Sequence, residues 1–114
     1  MNVVRDGVEY ARVAACAAIA PGGVTIARVG GYEVAVFNLG DAFVAYENVC
    51  PHQGGPIGEG FVEDGTVTCP WHAWCFDLRT GTLTIGAFAR LRRFGVRVEE
   101  ESLLVTVQPI PSAA

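Results

Sequence analysis

Valine, isoleucine, phenylalanine and tyrosine recur along this chain in short β-like runs, each cut short by a glycine-containing turn. Residues 8–14, 24–29, 32–39 and 43–46 alternate or cluster apolar side chains as strands do. Residues 67–69, 75–77, 94–98 and 103–107 continue the series. Gly30-Gly31 separates two of these runs and fits a two-residue hairpin turn. Leu39-Gly40-Asp41, Glu63-Asp64-Gly65 and Glu99-Glu100-Glu101-Ser102 supply further turns. Residues 15–20 are alanine-rich but stop at Pro21-Gly22-Gly23, so at most one helical turn fits there. No segment holds a long helical period. The pattern predicts an all-β domain, a small antiparallel sandwich or barrel.

Length and composition narrow this further. A chain of 114 residues, 51% hydrophobic, is long enough for one domain with a buried core. The formal charge is −4 and every cation is an arginine, so no basic face awaits nucleic acid. No apolar run approaches the roughly 20 residues of a membrane-spanning helix. Val13-Ala14-Ala15-Cys16 has the look of a lipoprotein box, but Asp6, Glu9 and Arg12 precede it where an apolar leader segment belongs. Neither membrane nor nucleic acid is expected as a partner, and the expected compartment is the cytoplasm. There, four cysteines point to metal or to buried thiols rather than to disulfides.

Two segments break the strand pattern. One runs Asn48-Val49-Cys50-Pro51-His52-Gln53-Gly54-Gly55-Pro56, the other Cys69-Pro70-Trp71-His72-Ala73-Trp74. They hold both histidines of the chain, one as Cys-x-His and one as Cys-x-x-His, with 16 residues between His52 and Cys69. Each pair can close on a metal from a single loop. Pro51 and Pro70 follow the cysteines and stiffen both loops. Two thiolates and two imidazoles suit a structural zinc ion or an iron–sulfur centre, and on ligand type alone the two stand level.

The flanking residues separate them. Cys50-Pro51-His52-Gln53-Gly54-Gly55-Pro56-Ile57-Gly58-Glu59-Gly60 resembles the first cluster-binding box of Rieske proteins. Cys69-Pro70-Trp71-His72-Ala73-Trp74-Cys75-Phe76-Asp77-Leu78-Arg79-Thr80-Gly81 resembles the second. The resemblance implies the Rieske fold, in which a two-loop subdomain on the β scaffold binds one 2Fe–2S cluster. It also implies the ligand set: Cys50 and Cys69 on one iron, His52 and His72 on the other. A single domain over residues 1–108 is expected, with cluster-binding loops at about 48–58 and 69–76 and a flexible tail at 109–114. Histidine in place of two cysteines raises the potential of such a cluster. Against that, the inter-loop disulfide of high-potential members is missing, since Gly55 or its neighbours and Trp71 occupy the comparable places. Trp74 and Phe76 also stand where those members place hydroxyl donors to the cluster. Fewer donors lower the potential, toward about −150 mV. Ala73 replaces a usual glycine, and the third loop, 85–90, lacks the proline common there.

No catalytic residue is expected. The resemblance implies a small ferredoxin, a one-electron carrier between a reductase and a terminal oxygenase. The small subunit of an assimilatory nitrite reductase, working with its large subunit, is the alternative; a structural zinc module is an alternative of another class. Cys75 reads as a plain buried thiol rather than a fifth ligand, and Cys16 as core or strand-end packing. Trp71, Trp74 and Phe76 read as shielding for the cluster, Asp77 and Arg79 as support for the turn ending at Gly81. The run 99–101 reads as a solvated turn.

Overall fold

The computed structural model describes residues 2–51, 54–70, 74–85 and 89–110. Eleven strands run in chain order among these residues: β1 (Asn2–Arg5), β2 (Val8–Ala15), β3 (Val24–Val29), β4 (Tyr32–Asn38), β5 (Phe43–Glu47), β6 (Phe61–Glu63), β7 (Thr66–Thr68), β8 (Cys75–Asp77), β9 (Arg93–Phe94), β10 (Val96–Glu99) and β11 (Ser102–Thr106). They form three antiparallel sheets with the orders β1-β2-β11-β10, β3-β4-β5-β9 and β6-β7-β8. The helices described are two 3₁₀ turns, Cys16–Ala18 and Ile57–Glu59, and no described helix is long and apolar enough to cross a membrane.

The all-β expectation holds, and most strands lie within a residue of where the pattern puts them. Three departures have physical reasons. β1 is not among the predicted runs; Asp6-Gly7, both at positive φ (52° and 78°), turns it back onto β2 as a hairpin. β6 is three residues long and pairs with β7 across Asp64-Gly65, too short to show a period. The run expected as one strand over 94–98 is two strands. Residues before Gly95 pair with β5 in one sheet, and residues after it pair with β11 in another. A Cβ at Gly95 would lie 2.9 Å from Thr106 Cγ2, while the Gly95 N–H donates to Thr106 Oγ1 at 3.0 Å. Glycine lets the chain turn this corner between sheets.

The central sheet is buried on both faces. On β4, Val34 and Val36 point toward the β1-β2-β11-β10 sheet and join Ile19, Val29, Phe94, Leu103 and Val105. Ala35 and Phe37 point the other way, joining Val67, Phe76, Leu78, Leu83 and Leu91 of the three-stranded subdomain. Double burial explains why β4 reads as a continuous apolar run instead of alternating. Of the expected tail, Pro109 and Ile110 are described, and the Ile110 N–H donates to the Arg93 carbonyl at 2.8 Å. Residues 111–114, the rest of that tail, lie outside the described residues.

Candidate metal centre

Both loops leave strands of the buried faces just described. After β5, the first folds back on itself: the Cys50 N–H donates to the Gly55 carbonyl and the Gly54 N–H to the Cys50 carbonyl, each at 2.7 Å. Gly54 takes φ 76°, the left-handed conformation this reversal requires. The second loop is the connection of the β7–β8 hairpin. Beyond the last ladder pair, Thr68 with Cys75, the Cys69 N–H donates to the Trp74 carbonyl at 2.7 Å, which closes the loop at its base.

The structure brings Cys50 and Cys69 together in one buried cluster, at 0% and 2% exposure, among Ala35, Ile57 and Phe76. No disulfide involves any of the four cysteines. Two free thiols from separate loops thus belong to one apolar cluster, an arrangement compatible with two thiolate ligands of one centre. His52 and His72, with Gln53, Trp71 and Ala73, lie outside the described residues, as do residues 86–88 of the third loop. Among the described residues no three His, Cys, Asp or Glu side chains gather into a metal-sized group, because the two thiols alone do not make three.

Cys75 is corrected from a buried thiol to a half-buried one. Strand register explains why it is no companion to Cys69. It sits opposite Thr68, while Val67 and Phe76 face each other on the buried side that Cys69 continues. Cys16 packs at the edge of the other core, as expected of strand-end packing. Phe76 is fully buried, and Trp74, half-buried, tilts over it with ring centroids 6.4 Å apart.

Further side chains seat the loops, and the strand pattern does not single them out. The Tyr46 hydroxyl, on β5, donates to the Leu78 carbonyl at 2.6 Å. The Arg93 guanidinium lies over the Tyr46 ring, 5.6 Å from its centroid, and donates to the Arg79 carbonyl at 3.0 Å. Burial pushes the Tyr46 phenol above its ordinary value, with Arg93 opposing and Asp77 adding to the shift. Gly81, at φ 80°, must be glycine, since a Cβ would meet the Tyr46 ring at 2.8 Å. Gly60 is equally constrained: a Cβ would lie 2.1 Å from the Thr68 carbonyl oxygen. Asp77 does cap the turn, its Oδ1 accepting from the Arg79 N–H at 2.8 Å. Arg79 itself reaches away to Asp41, at 2.9 Å. That guanidinium holds the Asp41 carboxyl below the usual carboxylate range.

The 99–101 turn is not simply solvated. Glu99 lies between Arg5 and Arg97, at 2.9 and 2.6 Å, and their hydrogen bonds, Arg5 foremost, hold its carboxyl low.

Residues 9–105 match the model of the Rieske 2Fe-2S domain. The chain belongs to the Rieske family. This membership sets aside the structural zinc module: the cofactor is one Rieske-type 2Fe–2S cluster. Among curated relatives of this Rieske protein is the ferredoxin component of an alkene monooxygenase system from Xanthobacter autotrophicus. It is 32% identical over 111 residues, which cover 96% of this chain and 91% of that one. The anthranilate 1,2-dioxygenase ferredoxin subunit of Burkholderia cepacia is 36% identical over 83 residues, 71% of this chain and 77% of its own. Among solved structures, the ferredoxin of carbazole 1,9a-dioxygenase from Nocardioides aromaticivorans superposes with a TM-score of 0.80 at 31% identity. That superposition covers 87% of this chain and 98% of the other. A chain from a complex of reduced oxygenase and oxidised ferredoxin in carbazole 1,9a-dioxygenase gives 0.82 at 29% identity, covering 90% and 96%. These relatives are electron carriers rather than catalysts, and so is this Rieske protein.

Proposed function

We propose that this protein is the ferredoxin component of an oxygenase system, taking single electrons from a reductase and delivering them to a terminal oxygenase. Cys50, His52, Cys69 and His72 are its cluster ligands in this reading. The observation that carries it is the burial of Cys50 and Cys69 in one apolar cluster, each in a loop that also holds a histidine. When bound, the 2Fe–2S cluster supplies a one-electron couple.

The chain's own residues do the rest. Phe76, Ile57 and Leu91 exclude water from the thiol side, where a low dielectric sharpens the effect of every nearby charge. The glycine turn at Gly54 and the hairpin base at Trp74 keep both loops compact, so little reorganisation accompanies a change of charge. Trp74 and Phe76 offer no hydroxyl to the site, which favours a potential near the low end of the Rieske range, about −150 mV.

The test is reconstitution. Purified iron-loaded protein is added to candidate reductase and oxygenase pairs, and electron flux to substrate is followed. Oxygenase turnover that requires this protein supports the assignment. Delivery only to the large subunit of a nitrite reductase overturns the partner. A measured potential above roughly +100 mV contradicts the low-potential reading.

A further inference from the structure

The first loop is tied across its base by one amide side chain. Asn48 follows β5 and is 4% exposed. Its Oδ1 accepts the Gly58 N–H at 2.6 Å, and its Nδ2 donates to Glu33 Oε1 at 2.8 Å. Its own backbone N–H donates to the Glu33 carbonyl, again at 2.8 Å. Gly58 can come this close because it lacks a side chain. A Cβ there would lie 3.0 Å from Asn48 Oδ1 and 3.1 Å from both Ala35 Cβ and Ile26 Cδ1. The two ends of segment 48–58 are thereby fastened to each other and to β4, and Cys50 and His52 lie between them.

The chemistry of the side chain's two partners leaves the amide one orientation. A backbone N–H only donates and an ionised carboxylate only accepts, so Oδ1 must face Gly58 and Nδ2 must face Glu33. An aspartate in place of Asn48 could still accept from Gly58, but it would set a second carboxylate against Glu33. An alanine would leave the buried Gly58 N–H without its acceptor.

We propose that Asn48, oriented by Glu33, is the positioning residue of the cluster: it sets where the first loop holds Cys50, and so tunes how firmly iron is kept and at what potential it is reduced. This rests on the ligand assignment above.

The experiment compares iron-loaded parent with N48A, N48D, E33Q and the double variant E33Q/N48D. It reads iron release to a chelator, the electron paramagnetic resonance spectrum of the reduced state and the potential. N48A and N48D are expected to lose iron about tenfold faster, the scale of one buried hydrogen bond left unmade, with a broadened or shifted spectrum and a moved potential. E33Q keeps an acceptor for Asn48 Nδ2 and should release iron like the parent. The double variant reverses the hydrogen bond, with the amide now on β4 and the carboxylate on the loop, at the parent's net charge. It should recover the parent's iron retention and spectrum, a rescue that loss of fold alone would not show. N48A and N48D variants that match the parent in spectrum, potential and iron release overturn the proposal, as does a double variant no better than N48D. A parent that purifies without iron overturns the ligand assignment instead.

Discussion

The two faces of the central sheet make a natural comparison. The face toward β1-β2-β11-β10 is built mainly from aliphatic side chains and Phe94, with one buried amide bond, Asn38 to the Ile19 carbonyl, beside them. The face toward β6-β7-β8 is also apolar, but it includes Cys50 and Cys69 and is pinned by individual polar bonds, Tyr46 to Leu78 and Asn48 to Gly58. One side of a single sheet is a scaffold that tolerates gradual change. The other is a mount for two loops, where one bond decides a position. Both faces are buried, but Cys50 and Cys69 lie on one of them only.

The sharpest way to break this comparison is at a thiol. Cys69→Ser is expected to abolish the cluster, read as loss of iron, sulfide and visible colour. The β-sheet signal in far-ultraviolet circular dichroism should persist, because the scaffold face keeps its own core. A coloured variant with the parent's spectrum would remove Cys69 from the ligand set.

Val36→Ala tests the scaffold face. Val36 is fully buried there, and removing its methyl groups is expected to cost about 2 kcal/mol of unfolding free energy, from lost transfer and the cavity left behind. Denaturant titration measures this. Iron content and reduced-state spectrum should stay those of the parent; a changed spectrum would show that the two faces are coupled.

Tyr46→Phe is the mildest change and it touches the mount. It leaves the buried Leu78 carbonyl without the hydroxyl that now donates to it, at a cost of about 1.5 kcal/mol. It also predicts a pH signature. Burial raises the Tyr46 pKa above its ordinary 10.0, so the folded protein holds the phenolic proton more tightly than the unfolded chain does. The corresponding stability is complete below pH 10 and is lost as pH rises from there through the folded-state value. Denaturation midpoints measured between neutral and strongly alkaline pH should fall in the parent, and fall less in Tyr46→Phe. Equal slopes would mean that the phenol is not buried in solution.

Legibility in the sequence follows the same division. The residues that build the scaffold announce themselves, since 24–29 and 75–77 read as strands with the bounds the structure has. Gly30-Gly31, with φ 57° and 89°, is the hairpin turn its composition suggests. The β1–β2 hairpin was missed despite its Asp6-Gly7 turn, because only four residues of strand precede it, too few to display alternation. The Gly95 corner was not readable, because apolar residues on both sides suit one continuous strand. Nothing local says that the chain changes sheets there. The 99–101 run shows the same limit, since the arginine Arg5 that pairs with Glu99 is 94 residues away in the chain.

By itself the sequence determined the element types, the turns and the paired Cys-x-His and Cys-x-x-His boxes, because strand period, turn chemistry and ligand spacing are local properties of the chain. Only the tertiary structure decided that Cys50 and Cys69 join one buried cluster while Cys75 lies on the opposite face of its hairpin. It alone also decided that Asn48 and Tyr46, unremarkable in the sequence, fasten the loops. Those facts depend on register, sheet stacking and the meeting of groups far apart along the chain, and such meetings have no signature until the chain is folded.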